Sequence, residues 1–163
     1  MQGNNLITIG VADMKISNDP NALLITYSLG SCLGIVVYDP QAMVGGMLHA
    51  MLPESKEDSH SNNFNPYKYV VSGVPLLFKE TYKYGAKKNH MIVKVAGGSQ
   101  ILDDSGYFNI GKRNLAALRK LFWKNGVMID GEHVEGTVAR TMRLNIQNGE
   151  VTVSIGRGKE IVL

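Results

Sequence analysis

Short apolar runs, closely punctuated by turn residues, constrain this chain more than any other feature. Leu23 to Tyr27, Leu33 to Tyr38 and Val44 to Leu52 are apolar or small at nearly every position, not at alternate ones. A strand of that kind is buried on both faces, so these runs predict a sheet covered by helices or by a second sheet. Asn18-Asp19-Pro20-Asn21, Leu29-Gly30-Ser31, Asp39-Pro40 and Pro53 break them, each a cluster of turn-forming residues. Upstream, Leu6 to Val11 reads as one more short strand, and Asp13 to Ser17 alternates polar residues with Met14 and Ile16.

The pattern changes after a polar loop over Glu54 to Asn65. Asn65-Pro66 predicts a helix start, with asparagine as cap and proline in the first turn. Val70, Val71, Val74, Leu77, Phe78 and Thr81 then follow helical spacing up to Gly85, with Pro75 expected to kink or restart the helix. Met91 to Ala96 reads as a buried strand running into Gly97-Gly98. Leu115, Leu118, Leu121 and Phe122 form a second helical stripe, closed by Gly126. Thr141 to Ile146 and Val151 to Ile155 flank Asn148-Gly149, a hairpin signal. No repeat or low-complexity tract interrupts the chain. The expectation is one α/β domain over residues 1–163, strand-rich, with two helices.

Composition narrows the function classes. The chain has 163 residues, enough for a core without metal or disulfide support. Its 17 Lys and Arg residues are scattered and the formal charge is only +3. The densest basic stretch, Lys112 to Lys124, reads as a solvated helix face, which argues against nucleic acid as a partner. No apolar stretch approaches the ~18 residues of a membrane span, and the first residues lack a secretory pattern. One cysteine excludes an internal disulfide and a multi-thiolate zinc site. A reduced thiol without an export signal points to the cytoplasm.

That cysteine, Cys32, lies in Gly30-Ser31-Cys32-Leu33-Gly34, on a break between two apolar strands. Gly30 and Gly34 allow close approach by a substrate, and N–H groups around Gly30, Ser31, Cys32 and Gly34 are candidate oxyanion donors. A lone cysteine is more often a small buried hydrophobe. His49 follows on a strand, with Met47 and Met51 on its face by alternation. The competing role is a core histidine bonded to a backbone carbonyl. Thr26 precedes the thiol by six residues. Its hydroxyl can accept from Nδ1–H of a histidine, although threonine is a common strand residue in any case. His60, His90 and His133 lie in a polar loop, at a strand start and in a connection, and are weaker candidates.

Taken together, Thr26-Tyr27-Ser28-Leu29-Gly30-Ser31-Cys32 and Gly45-Gly46-Met47-Leu48-His49-Ala50-Met51-Leu52-Pro53 resemble the CheD family of chemoreceptor glutamine deamidases. Val95-Ala96-Gly97-Gly98-Ser99 and Asn109-Ile110-Gly111-Lys112-Arg113-Asn114 extend the resemblance, in order, over nearly the whole chain. It implies Cys32 as nucleophile, His49 as general base and Thr26 as the third member. It also implies a β-sandwich-like α/β fold with outer helices, shared with the catalytic domain of cytotoxic necrotizing factor toxins. The implied substrates are methyl-accepting chemotaxis receptors, whose glutamines become glutamates, and an implied regulator is a CheC-type phosphatase. Two departures stand out. Glu135 to Arg140 keeps the family's arginine without its asparagine, and Leu102 stands where an aromatic often follows Ala-Gly-Gly. The other readings on the same fold are a non-catalytic receptor- or CheC-binding adaptor and a receptor methylesterase.

Amide hydrolysis through a thiol needs no metal or organic cofactor. A thiolate–imidazolium pair with a depressed thiol pKa and fast alkylation near neutral pH is the expected resting state.

Overall fold

The computed structural model describes residues 5–101 and 109–163, so Leu102 lies outside the described residues. The strands are β1 (Asn5–Thr8), β2 (Asp13–Ser17), β3 (Ala22–Leu29), β4 (Leu33–Asp39), β5 (Val44–Ala50), β6 (Ile92–Gly97), β7 (Gly131–Val134), β8 (Arg140–Asn145), β9 (Val151–Ile155) and β10 (Lys159–Val162). The helices are α1 (Val70–Tyr82) and α2 (Ile110–Asn125). One sheet runs β1-β3-β8-β9-β10 and the other β2-β5-β4-β6-β7, mostly antiparallel, with β1/β3 and β6/β7 parallel.

The unbroken apolar runs are explained by layering. Every residue of β4 and of β5 is buried. Val36, Tyr38 and Met47 meet Leu24, Met142, Leu144 and Val153 of the first sheet in one core. Leu33, Ile35, Val37, Leu48 and Ala50 point the other way, into a second core with α1 and α2. Alternation along a strand thus assigns sides: Gly34 and His49 lie on the inter-sheet side with Val36 and Met47. A Cβ on Gly34 would come within 2.8 Å of both Leu29 Cδ1 and Met142 Sδ, so the two sheets close tightly at that point.

Several boundaries differ from the sequence reading. The first strand stops at Thr8, and Ala12 adopts a positive φ on the way into β2. Asn65 caps a single 3-10 turn, Pro66 to Lys68, and α1 begins only at Val70. Pro75 neither ends nor restarts α1. It sits in the second turn, where its missing N–H forfeits one bond. Val70, Val74, Leu77 and Phe78 hold the helix on the sheet regardless. Among the described residues no helix is long and apolar enough to cross a membrane.

Candidate active site

Thr26 and His49 come from different sheets and meet between them. Thr26 Oγ1 lies 2.7 Å from His49 Nδ1, and both residues are buried. The hydroxyl has one proton, and it donates that proton to Ile9 O at 2.8 Å. A carbonyl only accepts, so toward His49 the hydroxyl oxygen must accept and Nδ1 must carry the hydrogen. The other nitrogen, Nε2, is then the bare lone pair. It is buried and has no hydrogen-bond partner among the described residues. Burial holds the imidazole pKa down at about 4, so it stays neutral across the physiological range. The expected Met51 neighbour is missing: Met51 lies past the end of β5 and is 39% exposed, while Met47 stays in the core.

Cys32 arrives on the same inner side. After Thr26 the pairing of β3 with β8 slips, and Ser28 adopts φ 58, a strained value for a serine. Gly30 N donates to Ser28 O, which closes a tight turn into Cys32. The thiol is partly exposed and packs against the inter-sheet core. Gly34, two residues on, pairs opposite His49. Thiol and imidazole therefore occupy diagonal positions on one face, with backbones on the order of 7 Å apart. Gly34 itself pairs on both sides, with His49 and Ala96, so its backbone belongs to the ladder and it is no free oxyanion donor. The N–H of Gly30 is likewise committed.

The resting pair is neutral, not the thiolate–imidazolium pair expected. Burial raises the Cys32 pKa, partly offset by its own backbone N–H, while burial lowers that of His49. Iodoacetamide alkylation of Cys32 should accordingly rise with pH through a midpoint above the ~8.5 of a free thiol. A midpoint well below that value would contradict the neutral pair.

Segments distant in sequence hold the Cys32 turn. Gly98 N donates to Cys32 O at 3.0 Å and Ser99 N to Gly30 O at 2.9 Å. Gly97 has φ 108, and a Cβ there would sit 2.1 Å from Cys32 O. Gly97→Ala should therefore displace the turn and cost about 2 kcal/mol or more, read as a lowered thermal midpoint. Arg140 is buried, and among the described residues no carboxylate pairs with it. Its guanidinium donates to Ser99 Oγ at 2.6 Å, Glu135 O at 2.7 Å and His133 Nδ1 at 2.7 Å. A cavity of about 450 Å³ opens beside the turn, lined in part by Gly30, Ser31, Ser99, Ile101 and Ile110.

A family model described as CheD chemotactic sensory transduction matches residues 51–155. A protein of Syntrophus aciditrophicus described as "Probable chemoreceptor glutamine deamidase CheD 1" is 45% identical over 152 residues, covering 93% of this chain and 95% of its own. The chain belongs to the CheD family. A second relative, from Solibacter usitatus and also described as a probable chemoreceptor glutamine deamidase, is 44% identical over 96% of this chain and 93% of its own. The family model's match begins after Thr26, Cys32 and His49. The alignments to the two relatives cover too much of the chain to leave these residues out. The C-terminal domain of CNFy from Yersinia pseudotuberculosis resembles this chain only distantly, at 9% identity and TM-score 0.40 over 97% of this chain and 60% of that one.

The CheD-type segments converge in space. Ala96 to Ser99 and Gly111 to Asn114 both touch the turn that bears Cys32. The sequence identified these segments but not what they do. Asn114 and Arg140 stood in segments that the resemblance picked out, but their contacts span long stretches of chain and no local pattern assigned them a role. His60 lies exposed in its loop, His90 stands 3.4 Å from Asp39 Oδ2, and His133 is held by Arg140.

Proposed function

We propose that this chain is a protein-glutamine deamidase acting on chemoreceptors, with Cys32 as nucleophile, His49 as general base and Thr26 as the residue that orients His49. The observation that carries this reading is the relay from Ile9 O through Thr26 Oγ1 to His49 Nδ1. It fixes the tautomer that leaves Nε2 unprotonated, with a free lone pair between the two sheets. A core histidine serving only structure would have its second nitrogen satisfied.

The chemistry follows from those positions. As a glutamine carboxamide enters, Nε2 takes the thiol proton while Sγ attacks the amide carbon. The carbonyl oxygen becomes an oxyanion. With the N–H groups of Gly30 and Gly34 committed, those of Ser31 and Cys32 are the donors nearest to it. Protonated His49 then delivers its proton to the amide nitrogen, the C–N bond breaks and ammonia leaves. The resulting thioester is attacked by water, whose proton returns to Nε2. Collapse releases glutamate and the thiol. Because both groups rest neutral, charge appears only during the reaction, where Thr26 Oγ1 accepts from the Nδ1–H of the imidazolium.

Residues 1–163 act in this reading as one deamidase domain in the cytoplasm, where receptor signalling segments are reached, with a CheC-type phosphatase as regulator. Family membership supports the deamidase domain and its receptor substrate, while the CheC-type regulator rests on the resemblance alone and Leu102 stands against it. Ammonia release from a receptor fragment, compared between the parent and Cys32→Ala, tests the reading. Equal release from both would sink it.

A further inference from the structure

Two buried side-chain atoms among the described residues have no hydrogen-bond partner: His49 Nε2 and Asn114 Oδ1. The first is the proposed base. The second belongs to a fully buried residue on the first turns of α2. The Nδ2 group of Asn114 donates to Ser31 O at 2.9 Å and to Met51 O at 3.1 Å. Ser31 immediately precedes Cys32, and Met51 lies two residues beyond His49. One carboxamide thus ties the turn that carries the thiol to the end of the strand that carries the imidazole.

We infer that Asn114 is a positioning residue that sets the separation of Cys32 Sγ and His49 Nε2; this rests on the deamidase reading above. The competing role is a plain tether seating α2 on the sheet. Leu118 and Phe122 already do that in the helix-side core. Gly111 adds a backbone contact, since a Cβ there would lie 2.5 Å from Ser99 O and 2.6 Å from Gly98 O. An apolar side chain would serve as a tether without burying an unpaired oxygen. Both donors of the carboxamide instead reach the two carbonyls that flank the site. The β4–β5 ladder joins the two segments through Leu33 and Ala50, and Asn114 adds the side-chain hydrogen bonds that reach past it to Ser31 and Met51.

The test measures alkylation of Cys32 by iodoacetamide and single-turnover deamidation of a receptor fragment. The variants are Asn114→Ala and Asn114→Asp, each with and without His49→Ala. Asn114→Asp keeps the shape but sets a carboxylate against the two carbonyls. In the parent at pH 7, where the thiol rests neutral, His49→Ala should slow alkylation about tenfold, because Nε2 takes the proton as Sγ attacks the iodoacetamide carbon. In either Asn114 background it should change the rate less than about twofold, because Nε2 is no longer placed to take that proton. Single-turnover deamidation should fall about tenfold to a hundredfold, with KM moving less than about threefold. A folded Asn114 variant in which His49→Ala still slows alkylation as in the parent overturns the assignment. Failure of both variants to fold would also overturn it, by making Asn114 a residue of the α2 seat. Should Cys32→Ala keep its activity, the deamidase reading fails, while the alkylation cycle still reports on Asn114.

Discussion

Cys32→Ala and His49→Ala are each expected to lower single-turnover deamidation at least about ten-thousandfold, while leaving the fold intact. Without Sγ no thioester can form. Without Nε2 no described group at the site can take the thiol proton, which burial makes harder to lose. No described residue can substitute. The buried polar residues other than His49 are Ser17, Thr26, Asp39, Thr81, Ser99, Asn114 and Arg140. Of these only Asp39 is a carboxylate. It is occupied at the far end of β4 by the N–H groups of Gln41, Ala42 and Lys87. Nucleophile and base act as a unit, so the double variant should be little slower than either single one. His60→Ala and His90→Ala should stay within about twofold of the parent, because neither ring faces the inter-sheet side. The pH profile adds a second check. With the imidazole pKa near 4, free His49 remains a base well below the ordinary histidine range. Activity in kcat/KM should rise toward alkaline pH with the thiol and show no acid limb near 6.5. A limb there, or an active His49→Ala, would mean that another group takes the proton.

What the sequence could reveal divides along physical lines. Periodicity reports burial, so the doubly buried β4 and β5 were legible from their unbroken apolar character, as were both helices from the spacing of Val70 to Phe78 and Leu115 to Phe122. Turn chemistry placed the Asn148-Gly149 hairpin between β8 and β9. Local rules failed where tertiary packing outweighs them. Pro75 lies inside an uninterrupted α1 because the sheet beneath supports the helix. The site divided in the same way. Residue type made Cys32, His49 and Thr26 candidates, and only the CheD resemblance gave them roles. The direction of the Cys32 and His49 pKa shifts was not legible, because desolvation depends on how closely the two sheets approach, and alternation along a strand carries no such distance. The tautomer of His49 was equally out of reach, since it depends on Ile9 O, which no motif includes. Asn114 contacts residues 83 and 63 positions away. No local pattern encodes such a pair of contacts.

Thr26→Val should lower single-turnover deamidation about tenfold to a thousandfold, less than loss of the thiol or the imidazole. Valine matches threonine in shape and strand preference, so β3 should form unchanged. What disappears is the oxygen at 2.7 Å from His49 Nδ1, together with the donor to Ile9 O. The Nδ1–H is then buried without an acceptor, at a cost of about 1–3 kcal/mol. Two relaxations relieve it, and both impair catalysis. The proton can move to Nε2, which removes the lone pair that should accept the thiol proton, or the ring can turn away from the thiol. The imidazolium formed during the reaction also loses the acceptor at its Nδ1–H. Thr26→Ser restores the hydroxyl and should retain most of the rate, with only the methyl packing lost. Nitrogen NMR of the imidazole separates the two relaxations, since the protonated nitrogen is Nδ1 in the parent and should shift toward Nε2 in the valine variant. A stably folded Thr26→Val that deamidates at the parent rate, with Nδ1 still protonated, would remove the hydroxyl from the mechanism and leave the Ile9 relay a feature of packing alone.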